Sequence, residues 1–419
     1  MNVSAPVVVF PSGHHAGLGI ARSLGRLGVP VYSIDEAAWE PAFSSRYCAG
    51  RFVLNRENRS SGEYLSGVLN IGRKLGHRPI LIPTTDREAI WIANNAAALG
   101  EVFRFPQRDA ALVHALCDKS RMQELAASTG IETAACVVPR SKDDLSLFAK
   151  MAAFPVMLKA IDAERLRGLL GRTKILIWTA PELLDVSMKA LDGETPNFLI
   201  QEFIPGEDWM FNGYFDANAD CLFGVTAKKV RRFPPQTGVT SLGVCLWDEP
   251  VYQTTVAFMK AIGYRGIVDI GYRRDSRNGK LRILDVNPRI GCTFRLFAAT
   301  NGMDVVRALY LESTGQAVPP GQASEGRKWI VEDFDLVSAL RSGWTGDLRL
   351  KEWIRSLRGV EEAACFSIDD PLPALLMGVA DCCELYRWFR GRAAARKTSP
   401  VAAARSWRLP ERRIEFRGR

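Results

Sequence analysis

The segment that most constrains this chain is the one ending in Leu284-Asp285-Val286-Asn287-Pro288-Arg289. In a strand, side chains two residues apart share a face, so the Asp285 carboxylate, the Asn287 amide and the Arg289 guanidinium point the same way. Hard oxygen ligands of this kind hold a magnesium ion, and an arginine beside them meets a phosphate. Asn and Pro both disfavour strand interiors, so Asn287-Pro288-Arg289 is an unusual way to close an otherwise apolar strand. Gly266-Ile267-Val268-Asp269 reads as a preceding strand, and the turn residues Asp275, Ser276, Asn278 and Gly279 predict an antiparallel return. A register that sets Asp269 beside Asp285 gathers two carboxylates and Asn287 into one site. The alternative is an ordinary hairpin with polar residues on its wet face.

With 419 residues and 47% hydrophobic content, the chain can bury cores for about two or three domains. The opening lacks a basic n-region, and the apolar run Val7–Phe10 is too short for a signal sequence or a membrane span, so a cytoplasmic location is expected. Nine scattered cysteines without a CxxC pair predict neither a disulfide framework nor a zinc site. The net charge of +9 lies wholly in residues 387–419, where eleven Lys or Arg face two Glu, so no specific nucleic-acid partner is expected for the body. That tail reads as solvated, mobile or partly helical; an anionic membrane surface, RNA or an acidic partner is the alternative. Just before it, Leu375, Leu376, Val379, Cys382, Cys383, Tyr386 and Phe389 mark an apolar helical stripe, expected to pack onto the body. The four histidines are His14, His15, His77 and His114. Beyond them no Ser/His/Asp triad or histidine metal site can form without help from the N-terminal part. Phosphoryl transfer suits the Lys, Arg, Asp, Glu and Asn that remain, because it needs positioning and charge neutralisation more than a proton shuttle.

The N-terminus predicts a βαβ unit with glycines at the first turn. Gly17-x-Gly19 and Asp35 echo a dinucleotide fingerprint, but Arg22 stands in the third glycine's place, so a Rossmann-like domain whose turn faces a carboxylate or phosphate fits better. A strand over 79–83 ends in Thr84-Thr85-Asp86, where Asp86 contacts a substrate or caps the next helix. Further on, a buried strand over 154–160 carries Lys159, costly there unless it meets an anion. The segment 160–174 is expected to be a loop covering phosphates. A strand over 197–204 runs into Pro205-Gly206-Glu207-Asp208, offering backbone groups to an adenine edge and acids to ribose hydroxyls, and Lys228 to Pro235 form a basic edge that is solvated or phosphate-facing.

Lys119, Lys159, the segment 201–208, Asp269 and the strand 284–289 follow the order and approximate spacing of the ATP-grasp superfamily, which residues 5–320 resemble. The resemblance is to the carbamoyl-phosphate-synthetase-type members and closest to a carboxylate–amine ligase branch, which shares the Lys-x-Arg-x-x-Pro-Pro pattern of Lys229 to Pro235. It implies an α/β and α+β fold: a Rossmann-like pre-ATP-grasp domain over 1–108, then an ATP-grasp domain over 109–320. The latter has a small subdomain at about 125–205 and a large one at about 206–320, with antiparallel sheets. A C-terminal extension over 321–390 and a basic tail over 391–419 follow.

By the same resemblance, Lys119, Lys159 and Lys229 meet the nucleotide phosphates, Gln201, Glu202, Phe203 and Ile204 hold adenine, and Glu207 or Asp208 binds ribose. Asp269, Asp285 and Asn287 ligate magnesium, with manganese as the alternative ion. Arg289, with Lys159, steadies the reacting acylphosphate. The implied enzyme joins a small-molecule carboxylate to an amine with release of ADP; its oligomeric state stays open, a homodimer being one option. The substrates are expected to pass Gly13 to Gly19, Thr84 to Asp86 and Arg295. The chain departs from the pattern at Asp285, where Glu is typical, and at Gln201, where Glu is commoner. A further departure is the loop 160–174, with Gly168 and Gly171 but also Arg165, Arg167 and Arg172. A non-catalytic nucleotide-binding or scaffold protein with a degenerate site is therefore the competing reading, and a Rossmann oxidoreductase a third.

Overall fold

A computed structural model describes residues 1–37, 40–161, 163–191, 197–235, 238–346 and 348–379. The basic tail 391–419 and the stripe positions Cys382, Cys383, Tyr386 and Phe389 lie outside the described residues. Leu375 and Val379 lie inside them and are exposed. The described chain forms two compact units, one of Met1–Glu88, Ala97–Phe105 and residues 362–379, the other of Ala89–Ala96 and Pro106–Glu361. The stretch expected as one extension over 321–390 is thus divided between them.

The first unit is built on a parallel sheet of β1 (Val7–Phe10), β2 (Val31–Asp35), β3 (Cys48–Val53) and β4 (Ile80–Pro83), ordered β3-β2-β1-β4. The wholly apolar β1 is buried at every position, as a central parallel strand covered on both faces must be. After β1 the chain turns into the helix His14–Gly25. Asp35 closes that turn: it accepts the Gly13 N–H at 2.6 Å and the Glu36 N–H at 2.8 Å, and burial raises its carboxyl above the usual range. Its oxygens are engaged by their own loop rather than presented to a ribose.

Arg22, the residue in the third glycine's place, is buried and anchors the C-terminal segment. It pairs with Asp370 at 2.9 Å and donates to the carbonyls of Cys365 and Asp370, each at 2.8 Å.

The second unit contains two antiparallel sheets. The smaller joins β5 (Cys136–Val137), β6 (Val156–Ala160), β7 (Lys174–Ile177) and β8 (Phe198–Glu202) in the order β5-β8-β6-β7. Val156, Leu158 and Ala160 pack with Phe198 and Ile200 against helices Lys142–Met151 and Ala180–Ala190. The alternate positions Met157 and Lys159 therefore point to the opposite face. The segment expected as a phosphate-covering loop instead contains the helix Ala163–Leu170, whose Leu166 is wholly buried in this core with Leu170 beside it at helical spacing. Two glycines in fifteen positions are too few to override that apolar spacing.

The larger sheet comprises β9 (Gly206–Phe215), β10 (Cys221–Phe233), β11 (Val239–Cys245), β12 (Gly266–Asp275), β13 (Leu281–Asn287), β14 (Lys328–Ile330) and β15 (Val360–Ala363). Its order is β13-β12-β9-β10-β11-β14-β15. Trp209, Phe211, Phe215, Val268, Ile270, Tyr272, Ile283 and Val286 form its dry face with Phe258 and Met259 of helix Glu249–Ala261. β14 and the helix Glu332–Thr345 bring part of the predicted extension into this subdomain, where Asp335 holds Arg231 and accepts from the Trp353 indole at 2.9 Å. No helix among the described residues is long and apolar enough to cross a membrane.

Candidate active site

Strict alternation along β9 and β12 sorts their side chains. The dry face takes Trp209, Phe211, Val268, Ile270 and Tyr272. The other face, itself largely covered, takes Asp208, Met210 and Asn212 from β9, directly opposite Arg273, Gly271 and Asp269 from β12. On β13 the alternation is broken by one residue. Gly271 pairs with Asp285 and Tyr272 with Ile283, so Leu284 is an extra, bulged residue. Ile283 is in the core; in a regular strand Asp285, two residues on, would be buried beside it. The bulge turns Asp285 to that other face while Val286 returns to the core. Asp269 then faces Asn287, whose Nδ2 donates to its Oδ2 at 3.2 Å, and Asp285 lies diagonally across. The register thus brings the two carboxylates and Asn287 together, although Asp269 stands beside Asn287 rather than beside Asp285.

Two glycines make room for these acids. A Cβ at Gly271 would lie 2.4 Å from Asp285 Oδ1, and one at Gly291 would lie 2.5 Å from Asp269 Cγ. Arg289 donates to Asn287 Oδ1 at 3.2 Å, and its charge also acts on Asp269.

The small sheet supplies the opposing charge. Lys159 on β6 is the register partner of Lys174 on β7, and the two lie on the face away from the helices. Lys119, first residue of helix Lys119–Ser128, donates to the Ala160 carbonyl at 3.2 Å. Burial and the neighbouring Lys174 and Lys119 push the Lys159 ammonium down to about 7, against the pull of Asp285. Asp285 is closely surrounded by protein yet still reached by water. Burial would raise it, but Lys229, Lys174, Lys159 and Lys119 together hold it below the usual carboxylate range. Burial lifts Asp269 up to about 6, with repulsion from Asp285 outweighing part of the pull of Arg289 and Lys229. Lys159 and Lys174, lowered by the surrounding protein and by neighbouring cations, face an Asp269 that is raised, and a polyphosphate with a divalent ion would complement both.

The chain matches no family model. It is similar to a D-aspartate ligase of Enterococcus faecium (strain Aus0004), 24% identical over 240 residues. That match takes in 54% of this chain and 57% of the relative, so the likeness spans a little over half the relative's length. Among solved structures it is similar to the biotin carboxylase domain of Hydrogenobacter thermophilus 2-oxoglutarate carboxylase, a dimer in complex with MgADP, ADP and bicarbonate. There the TM-score is 0.57 at 17% identity, over 76% of this chain and 71% of that one. An L-amino acid ligase from Bacillus licheniformis has a TM-score of 0.57 at 13% identity, over 77% and 76% of the two chains. The chain has the ATP-grasp fold.

Within this ATP-grasp fold, Lys119, Lys159, Lys229, Asp269, Asp285 and Arg289 act electrostatically on one another's neighbours, and Asn287 is hydrogen-bonded to both Asp269 and Arg289. Gln201 is buried and pairs in register with Met157, on the face that carries Lys159. The neighbouring Ile204 is buried, and Phe203 lies under the Arg273 guanidinium, 5.2 Å from the ring centre. Glu202 points to the other face and pairs with Arg277, and Glu207 pairs at the surface with Lys228. Asp208 is buried between Arg273, at 2.8 Å, and Arg232, so both its oxygens are engaged.

Sequence reading missed Asn212 and Lys174. Asn212 is wholly buried, sends its Nδ2 towards Asp269 at 3.5 Å, and has no hydrogen-bond partner for Oδ1 among the described residues. A polar residue at i+4 from Asp208 on an apolar strand was a signal for it; nothing local pointed to Lys174.

The lowered Lys159 carries a stability prediction. Its folded value of about 7 against 10.5 unfolded means the unfolded chain binds more protons between those values, so ligand-free stability rises as pH climbs from about 7 towards 10.5. Lys159→Met should raise thermal stability by on the order of 1 kcal/mol near pH 7 and flatten that rise, while removing nucleotide binding. A variant less stable than wild type in a thermal melt would contradict this.

Proposed function

We propose that the protein is an ATP- and magnesium-dependent ligase that activates a carboxylate as an acylphosphate and transfers the acyl group to an amine, with release of ADP and phosphate. The observation that carries this reading is the convergence of Lys119, Lys159 and Lys229 with Asp269, Asp285 and Asn287 between the two sheets of the second unit. Asp269, Asp285 and the Asn287 carbonyl would hold magnesium, which supplies charge neutralisation to the phosphates when bound. In the neighbour that carries MgADP the fold serves a nucleotide, and the names of the D-aspartate ligase and the L-amino acid ligase support an amino acid, peptide or related amine as one substrate.

The chain's residues then divide the work. The lysines draw the triphosphate into line and offset its charge as the substrate carboxylate oxygen attacks the terminal phosphorus and ADP departs. The amine attacks the acyl carbon, phosphate leaves with the former carboxylate oxygen, and the nitrogen gives up its proton. Arg289 stabilises the oxyanion of that addition. The second step needs no dedicated base, because holding amine and acylphosphate in contact lowers the barrier by itself.

Purified protein with ATP, magnesium and a panel of amino acids should release ADP and phosphate in an amine-dependent manner, with a mass-detectable condensed product. Nucleotide binding without ADP release across the panel would favour a non-catalytic nucleotide binder instead.

A further inference from the structure

We propose, resting on the ATP-site reading above, that Lys174 is a ligand of the nucleotide's terminal phosphate, taking over by side-chain charge what a glycine-rich loop does with backbone amides. Three observations meet here. Lys174 is held in register with Lys159 by the β6–β7 pairing, so two ammonium groups stand side by side at one end of the small sheet. Its charge is felt first by Asp285, then by Lys229 and Arg232 of the large sheet, whereas that of Lys159 is felt by Lys174, Lys119 and Asp285. Lys174 is thus within electrostatic reach of Asp285, Lys229 and Arg232 of the large sheet, and Lys159 of Lys119 and Asp285. Among the described residues, the exposed Lys174 side chain makes no hydrogen bond and no ion pair within 4.0 Å, so its ammonium is open to a ligand.

The segment just before it explains why a side chain is needed. Because Ala163–Leu170 is helical, its amides beyond the first turn donate to carbonyls four residues back, and Gly171 continues the pattern by donating to Arg167 at 2.7 Å. Amides committed to a helix cannot wrap a phosphate. The surrounding protein lowers the Lys174 ammonium even though the residue is exposed, and a phosphate arriving beside Asp285 would raise it.

The test compares binding of ADP and of a non-hydrolysable β,γ-imido ATP analogue, both with magnesium, by calorimetry on wild type, Lys174→Met and Lys174→Arg. Loss of one charge-assisted phosphate contact should weaken the analogue by about tenfold or more in K174M. ADP should lose less than about threefold, and K174R should recover most of the analogue affinity. Thermal melts of the ligand-free variants should stay close to wild type, since the exposed Lys174 side chain makes no described contact that either substitution would remove. Wild type binding both nucleotides with K174M unchanged, or K174M weakening both equally, overturns the role of Lys174 alone. Wild type that binds neither nucleotide overturns the ATP-site reading and this role with it.

Discussion

Asp285→Ala is expected to lower magnesium-dependent ADP release by about two to three orders of magnitude or more in kcat, the usual consequence of removing a group that fixes transition-state charge. The fold should survive, because the Asp285 side chain reaches water and no described element depends on it for a hydrogen bond. The effect on its surroundings is specific. Asp285 is the acid that moderates Lys159 and Lys174, so without it both ammonium groups titrate lower still and the ligand-free site loses charge near neutral pH. Asp285→Glu lengthens the carboxylate by one methylene towards the residue more common in the fold, and should keep turnover. Steady-state ADP release at saturating magnesium, with circular dichroism as the folding control, reads both variants. Wild-type turnover in Asp285→Ala would remove this residue from the metal site.

Arg22→Ala should cost about 3–5 kcal/mol in the unfolding of the first unit, because breaking a buried ion pair strands its partner. The side chains of Arg22 and Asp370 are 3% and 2% exposed, so water cannot replace the lost contact. Asp370 would keep only the Ser45 hydroxyl, at 2.7 Å, and the Arg46 N–H, at 2.9 Å. The carbonyls of Cys365 and Asp370 would lose their guanidinium donor altogether. Urea unfolding followed by a first-unit probe, together with faster proteolysis near residues 362–379, would report it. A change below about 1 kcal/mol would show that the segment is held by other means.

Much of the site was legible because its chemistry is strung along short strands. Side chains two apart in β13 had to share a face, so Asp285 and Asn287 could be grouped without coordinates; Arg289 lies just past the strand's end and reaches Asn287 by a hydrogen bond. The turn from Asp275 to Gly279 fixed the antiparallel return of β12 and β13, and with it the company of Asp269. Lys159, on a strand whose alternate residues feed a core, announced an anion by its cost alone. The scarcity of histidine turned the reading towards phosphoryl transfer.

Other features depended on partners far away in the chain. Leu284 looks like any strand residue, and only the pairing of Ile283 with Tyr272 and of Asp285 with Gly271 makes it a bulge that rescues Asp285 from the core. Lys174 acquires meaning from Lys159, its cross-strand neighbour, and Asn212 from Asp269 two strands' width of sequence away. Asp208, read with Glu207 as a candidate ribose ligand, is flanked by Arg232 and Arg273 from adjacent strands. Arg22 looked like a failed fingerprint glycine and proved to be the anchor of a segment more than three hundred residues on. By itself the sequence determined which faces are polar and which residue types crowd them, because alternation and charge cost are local. The tertiary structure alone decided which of those charges meet, because register, bulges and long-range pairing set distances that no local pattern encodes.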